Sequence, residues 1–276
     1  YEIKECDWSS DVYSSDLAMG IAWLIFMLPH SVATVSIATA YFTRMSTHAM
    51  ERKFDELKAD LSDGLRTIAM ISVLASAGLI VLAYPISRVF VGEIPSTIAL
   101  GNVVIAMVVG LLPFSYVFMI QRAFYSLEDT RTPFLFTVVQ TLLNIFGSIM
   151  VAIYAEHVWI VVCLSLVTSG SILVQAVLAF VMFKRKFGSL GHSHLTLATG
   201  KFVFAAVVAG LVGFGMLQLM GGARPGAFPV LNIISAATTC AIIGGTMTLI
   251  YLTILRFLKV PEIEVLTKPI QRLFKR

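Results

Sequence analysis

Two long apolar stretches of this chain contain polar side chains with the chemistry to bind a ligand. His30, Ser31 and Thr34 follow a proline in the first of them, and Gln140 and Asn144 lie one helical turn apart in another. An imidazole can titrate or contact a ligand, and amide and hydroxyl oxygens can bind a cation or a polar headgroup. We predict that these five side chains line a polar cavity. Simple hydrogen bonding between packed helices remains an equally good interpretation of the same pattern.

Ionisable groups are concentrated in a short turn, QRAFYSLEDTRTP, between one apolar stretch and the stretch that contains Gln140 and Asn144. The turn contains Arg122, Glu128, Asp129 and Arg131, and Pro133 opens the stretch that follows. Both flanking stretches are long enough to cross a bilayer, which requires about 20 residues. We therefore expect this turn to lie at a membrane face.

The composition identifies the class of protein that positions these residues. Of 276 residues, 58% are hydrophobic and only 13% are charged, with a mean hydropathy of +0.88, whereas a soluble domain carries roughly 25% charged residues. Lipid offers no partner for an unpaired backbone group, so the spans must be helical. We predict an all-α, polytopic membrane protein with about seven spans: 17–43, 65–90, 98–125, 133–154, 158–183, 201–220 and 228–258.

The cations are distributed by loop, which predicts orientation. The loops after the first, third and fifth spans and the tail are rich in Lys and Arg, whereas the opposite loops contain only Arg88 and Arg224. By the positive-inside rule the first set, with the QRAFYSLEDTRTP turn and the C-terminus, faces the cytoplasm. Between the first two spans, apolar residues recur at helical spacing from Met50 to Leu65. This spacing predicts an amphipathic helix on the inner surface or against the helix ends.

No catalytic or cofactor-binding motif is present. The sequence has no pair of carboxylates in the middle of a span and no nucleotide-binding loop or hydrolase motif. Its cysteines, Cys6, Cys163 and Cys240, lack metal-ligand spacing. We predict that the chain is not an enzyme and needs no cofactor or nucleic acid. A dependence on the membrane potential or on a monovalent cation stays open.

The stretches FMLPHSVATVSIATAYFTRMS (26–46) and RAFYSLEDTRTP (122–133) resemble the MurJ/MviN family of bacterial lipid II flippases, in the MOP exporter superfamily. The resemblance covers about residues 17 to 258, has an actinobacterial character, and implies helices eight to fourteen of a fourteen-helix transporter. Those helices would comprise a C-terminal lobe (17–190), two additional helices (191–258) and a basic cytoplasmic tail (259–276). Residues 1–16 are expected to be foreign to the protein or a disordered loop.

The resemblance also implies a function in the bacterial cytoplasmic membrane. Such proteins move undecaprenyl-pyrophosphate-linked peptidoglycan precursor to the outer leaflet by alternating access, which serves cell-wall biogenesis and cell shape. The expected partners are this precursor, the bilayer, an absent N-terminal lobe and proteins of cell-wall synthesis or division. Arg122, Glu128, Asp129, Arg131 and Pro133 would then form a cytoplasmic gate or hinge.

Three departures from the family pattern are visible in the sequence. Leu24 and Met27 stand where many members carry an arginine and an acidic residue. Asn144 matches one ligand of a sodium site found in some members, but Ser148 stands where those members have a carboxylate. These departures leave two alternatives: another MOP-type exporter of polyprenyl-linked polysaccharide, or a membrane scaffold for cell-wall assembly that does not transport.

Overall fold

The computed structural model describes residues 6–156, 159–188, 192–224 and 226–263, and within this part of the chain every regular element is helical. The predicted all-α fold is therefore confirmed. The helices are α1 (Cys6–Pro29), α2 (Ser36–Met50), α3 (Phe54–Val81), α4 (Ala83–Phe90), α5 (Ile94–Val108), α6 (Leu111–Ser126), α7 (Arg131–Tyr154), α8 (Ile160–Phe187), α9 (His192–Leu219), α10 (Phe228–Leu231) and α11 (Ile233–Phe257).

The helix lengths agree with the predicted number of spans. In the described residues, six helical segments are long and apolar enough to cross a membrane, and α5 and α6 make a seventh if they count as one span bent by 44°. The bend falls at Gly110, just before Pro113 in the first turn of α6. Proline is tolerated in a first turn, where its missing N–H leaves no bond unmade.

The first predicted span contains a π-helical turn. Residues His30–Val35 form a π-helix directly after Pro29, and they join α1 to α2 without a loop. A proline inside a helix lacks the N–H for one backbone bond, and its ring crowds the carbonyl four residues earlier. Single π-helical turns are frequent at functional sites.

The amphipathic helix predicted over residues 50–65 is present from Phe54 and packs against the bundle, but the predicted start of the second span at Leu65 is not a helix boundary. The helical break falls at residues 51–53, and α3 runs from Phe54 through Val81 without interruption. Leu57, Leu61 and Leu65 are buried in the same core cluster as Ile68. The apolar face therefore continues in register into the span, so the amphipathic segment is the beginning of α3.

Three buried clusters hold the bundle together. One joins the end of α2 and the start of α3 to α6 and α8, a second joins α3 to α9 and α11, and a third joins α1 to α4 and α5. Small residues allow close approaches between the helices: a Cβ on Gly147 of α7 would lie 2.5 Å from Val167 Cγ1 of α8. Such contacts are typical of helices packed in membranes, where van der Waals packing replaces the hydrophobic driving force.

Two of the predicted segments lie partly outside the described residues. Residues 1–5 of the N-terminal segment 1–16 and residues 264–276 of the tail 259–276 lie outside them. The backbone of α1 begins at Cys6, eleven residues before the predicted first span. At the other end, Val260 and Glu262 fold back against the bundle and are buried.

Candidate functional site

His30 and Thr34 belong to a buried polar cluster around Ser115 of α6. Thr34 Oγ1 and Ser72 Oγ donate to Ser115 Oγ over 3.1 and 3.3 Å, and His30 Nδ1 lies 3.3 Å from the same oxygen. A hydroxyl accepts two hydrogen bonds and donates one. The Ser115 proton is therefore left for His30 Nδ1, which places the imidazole proton on Nε2.

Aromatic rings close this cluster on the side of α6. The His30 ring centroid lies 4.5 Å from that of Phe114 and 5.2 Å from that of Phe118. His30 and Thr34 are 2% and 1% exposed. Their contacts with Ser115 tie the π-helical turn to α6, and Ser72 joins α3 to the same oxygen, so both side chains point into this bundle.

Ser31 points the other way, at the start of an exposed face of hydroxyl groups. It is exposed and donates to the Leu28 carbonyl. Farther along α2, four more exposed hydroxyl side chains share one face and donate to carbonyls of their own helix: Ser36, Thr39, Thr43 and Thr47. Their protons are used within the helix, so the face presents mainly oxygen lone pairs. We call these four residues the α2 hydroxyl stripe.

Gln140 and Asn144 join α7 to α8. Gln140 Nε2 donates to Ser171 Oγ over 3.3 Å, and Asn144 Nδ2 donates to Thr168 Oγ1 over 3.2 Å and to Ser171 Oγ over 3.3 Å. One turn nearer the charged turn, Gln175 Nε2 of α8 donates to Thr137 Oγ1. These amide side chains therefore join two antiparallel helices. This arrangement corresponds to the second interpretation of the sequence pattern, hydrogen bonding between packed helices.

The charged turn between α6 and α7 is organised by Asp129. Its carboxylate accepts hydrogen bonds from the Thr132 backbone N–H over 3.2 Å and the Thr132 hydroxyl over 2.5 Å, and forms an ion pair with Lys186 Nζ at 2.8 Å. Desolvation alone would raise the pKa of Asp129, but the bonds from Lys186 and Thr132 outweigh it and lower the pKa to about 2. The carboxylate therefore fixes the start of α7 to the end of α8.

The other predicted residues of the turn have different surroundings. Arg122 lies between two aromatic rings, with its guanidinium carbon 4.9 Å from the Phe118 centroid and 5.7 Å from the Phe42 centroid. Glu128 has a positive φ of 57°, in the left-handed conformation that ends α6, and Arg131 is exposed. Pro133 is buried in the first turn of α7.

Sequence reasoning missed a second group of ion pairs at the same end of the bundle. The carboxylate of Asp60, 3% exposed, lies 2.5 Å from Arg44 Nη2 and 3.0 Å from His48 Nδ1, although the histidine contact is poorly angled for a hydrogen bond. Glu262, also buried, lies 3.2 Å from Arg66 Nε. The first network joins α2 to α3, and the second joins the segment after α11 to α3. Only their tertiary contacts identify them, because each sequence neighbourhood looks like an ordinary charged loop.

The predicted site residues therefore occupy three separate places. His30 and Thr34 contact Ser115, Gln140 and Asn144 contact α8, and Ser31 is exposed. The described residues contain no group of three His, Cys, Asp or Glu side chains that could hold a metal ion. Nothing in the contacts joins the two polar groups into one site within the described part of the chain.

A comparison with protein-family models places this arrangement in a known family. The model described as "Lipid II flippase MurJ" matches residues 13–257, nearly the whole of the described helical bundle. The chain belongs to the MurJ family. This membership confirms the resemblance carried by residues 26–46 and 122–133, and establishes a multi-pass membrane protein. Members of the MurJ family are transporters, so the expectation that the chain is not an enzyme is confirmed.

Individual MurJ relatives show the same similarity over part of their length. A probable lipid II flippase MurJ from Vibrio cholerae is 27% identical over 206 residues, covering 71% of this chain and 38% of the relative. The lipid II flippase MurJ of Thermosipho africanus is 29% identical over 129 residues, which cover 45% of this chain and 26% of that relative. The chain thus spans less than half the length of these curated relatives.

A solved structure of a MurJ protein has the same fold. It is described as lipid II flippase MurJ in an inward closed conformation and superposes with a TM-score of 0.64 at 20% sequence identity. The superposition covers 88% of this chain and 48% of that protein. The helical bundle described here therefore corresponds to about half of a MurJ transporter.

Proposed function

We propose that this chain is the C-terminal half of a lipid II flippase. It would move undecaprenyl-pyrophosphate-linked peptidoglycan precursor from the inner to the outer leaflet of the bacterial cytoplasmic membrane by alternating access. The family match over residues 13–257 is the observation that carries this proposal. The relatives' additional length would supply an N-terminal lobe, and the transport pathway would lie between the two lobes.

The proposed orientation places the charged turn at the cytoplasmic face. Arg44, Arg66, Arg122, Arg131 and Lys186 all lie at one end of the helices. An excess of basic residues in membrane loops favours the cytoplasmic side. The C-terminus would also be cytoplasmic, since α11 ends at this same end of the bundle.

We propose that the α2 hydroxyl stripe, with Ser31, forms the wall of the pathway. A polar helix face is favoured next to water or another lobe rather than next to lipid. His30 and Thr34 would act behind this wall by holding the π-helical turn against Ser115. The bonds of Gln140 and Asn144 to α8 support a packing role, with their carbonyl oxygens still able to accept a bond from a ligand.

The charged turn would act as a hinge on the cytoplasmic side. Glu128 and the Asp129–Lys186 ion pair lie at the junction between α6 and α7, and Arg131 and Pro133 belong to the first turn of α7. A pair between an exposed lysine and a largely buried carboxylate is modest in strength. Such a pair can break and re-form as the lobe changes conformation.

Depletion of the protein in the source bacterium tests the flippase function. We expect lipid-linked precursor to accumulate in the inner leaflet, where a reagent added outside the cell cannot reach it. Normal export of this precursor, with a block in another polyprenyl-linked polysaccharide, would contradict the proposal and support the alternative exporter.

Complementation then separates transport from scaffolding. The protein carrying Asn144→Leu should fail to restore export because it loses both amide bonds between α7 and α8. Thr141→Val on an exposed face of the same helix is the control and should restore export, since Thr141 bonds only to its own helix. If Asn144→Leu is stably present in the membrane and supports normal growth, the scaffold alternative is favoured.

A further inference from the structure

Arg122 differs from the other partly buried arginines in the described residues. Arg66 lies beside the carboxylates of Asp63 and Glu262, and Arg88 donates to three backbone carbonyls. Arg122 has neither a carboxylate within ion-pair distance nor a hydrogen-bond acceptor in the part of the chain that the structure describes. A guanidinium carries five N–H donors and stays charged. Its donors are therefore available to a ligand.

Two aromatic rings hold this guanidinium in place. Phe118 comes from α6, one turn before Arg122, and Phe42 comes from α2. The ring faces attract the positive charge, but they do not replace the oxygen acceptors that a guanidinium usually binds along its edge. The side chain is therefore positioned between two helices before any ligand arrives, which reduces the entropy lost on binding.

Arg122 lies one helical turn inside the end of α6, at the face that we propose to be cytoplasmic. It lies four residues before Ser126, the last residue of α6, which is about 6 Å along the helix axis. The polar headgroup region adds several ångströms on each side of a hydrocarbon core of about 30 Å. A side chain one turn inside the helix end therefore reaches the level of the headgroups.

The acidic residues nearby do not neutralise this arginine. Asp60 forms its ion pair with Arg44, and Asp129 forms its own with Lys186. Glu128 is exposed beyond the end of α6, and no ion pair joins it to Arg122. Among the described residues, no carboxylate therefore forms an ion pair with Arg122 that an approaching anion would have to break.

We propose that Arg122, held by Phe42 and Phe118, is a binding site for the phosphate group of a lipid. The planar fork of arginine matches two phosphate oxygens and forms paired, charge-assisted hydrogen bonds. Basic sites between membrane helices bind anionic headgroups in the same way. Two lipids carry this chemistry: an anionic phospholipid of the bilayer and a polyprenyl pyrophosphate carrier. The site itself does not depend on transport.

Lipid binding to the purified chain tests the site. The chain is placed in phosphatidylcholine nanodiscs, and phosphatidylglycerol or undecaprenyl pyrophosphate is titrated while native mass spectrometry counts bound lipid. Arg122→Gln should weaken binding about tenfold or more, as expected for the loss of charge-assisted bonds. Arg122→Lys keeps the positive charge but loses the planar guanidinium with its paired donors. The affinity of this variant should therefore lie between those of the wild type and Arg122→Gln. Arg185→Gln, which removes an exposed cation at the end of α8, is the matched control and should change affinity less than about twofold.

The outcomes separate a specific site from general charge attraction. Equal losses in Arg122→Gln and Arg185→Gln, or no loss in Arg122→Gln, would overturn the proposal. If Arg122→Gln does not fold, Phe42→Leu keeps the charge and should still weaken binding severalfold by releasing the guanidinium; unchanged affinity in that variant would overturn the proposal as well.

The two lipids identify the source of the phosphate. Tighter Arg122-dependent binding of undecaprenyl pyrophosphate assigns the site to the carrier, and tighter binding of phosphatidylglycerol assigns it to the bilayer. Either result supports the site. Normal precursor export after depletion would contradict the flippase function but would not affect Arg122-dependent binding of phosphatidylglycerol. The two proposals can therefore fail separately.

Discussion

Replacing Asp129 by asparagine should destabilise the junction of α6, α7 and α8 in a pH-dependent way. The substitution keeps the shape of the side chain, and its amide oxygen can still accept from Thr132, but the ion pair with Lys186 is lost. A pKa lowered from 3.8 to about 2 corresponds to about 2.4 kcal/mol at 1.36 kcal/mol per unit. Because the Lys186 side chain is 50% exposed, solvent screening reduces the expected loss to about 1–2 kcal/mol.

The sign of the pH dependence follows from the direction of the shift. The folded pKa of Asp129 lies below its unfolded value, so the carboxylate contributes its full stabilisation above about pH 3.8 and loses it as the pH falls through about 2. The difference in unfolding free energy between the wild type and Asp129→Asn should be constant from pH 8 to pH 5. It should then shrink between pH 4 and pH 2.

Reversible unfolding in mixed micelles of SDS and dodecylmaltoside, followed by circular dichroism, measures these free energies. Lys186→Gln and the double variant complete a thermodynamic cycle, which isolates the coupling between the two side chains. Arg185→Gln provides the control for loss of a neighbouring cation. A coupling energy near zero, or a difference that stays constant down to pH 2, would show that this ion pair does not fix the junction.

Two further substitutions test the packing between helices. Gly147→Ala should cost about 1–3 kcal/mol, because its Cβ would lie 2.5 Å from a methyl group of the β-branched Val167. Gly170→Ala meets open space inside α8 and should not destabilise the protein; an equal loss of stability in both variants in the same unfolding assay would contradict this packing. Tyr251→Phe should cost about 1 kcal/mol, because it removes the hydroxyl that donates to the buried Met70 carbonyl over 2.7 Å, and unchanged stability would mean that water replaces the bond.

The sequence predicted the spans well because hydropathy alone determines them. A bilayer requires long apolar helices whatever their packing partners, so seven stretches could be read without knowing any contact. The predicted start of the second span at Leu65 was wrong for a related reason. It was placed where charged residues give way to apolar ones, but no helix-breaking sequence lies between Leu57 and Leu65, and Gly64 is buried against α6 within the continuous helix.

The side-chain partners were much harder to predict. Spacing correctly places His30 and Thr34 on one helix face, but it does not reveal that Ser115 is their partner or that Ser72 shares it. A single serine in an apolar stretch looks the same whether it bonds to its own helix or to another one. The pairing of Asp129 with Lys186 was likewise hidden, since the cations at the end of α8 are equally well explained as signals of membrane orientation.

The hydrogen bonds divide the polar groups of the helices into three kinds, and the division indicates where a ligand can act. The His30 cluster and the amides of Gln140 and Asn144 donate to partners on other helices, so a ligand that accepts hydrogen bonds would have to replace bonds that already exist. The α2 hydroxyl stripe is satisfied within its own helix and presents only lone pairs. Among the partly buried arginines of the described chain, Arg122 alone has donors that bond to no protein acceptor. An anion can therefore form hydrogen bonds with Arg122 without breaking existing ones. The charge proposed to attract a lipid phosphate therefore lies near the end of α6, and the groups farther from that helix end hold the helices in position.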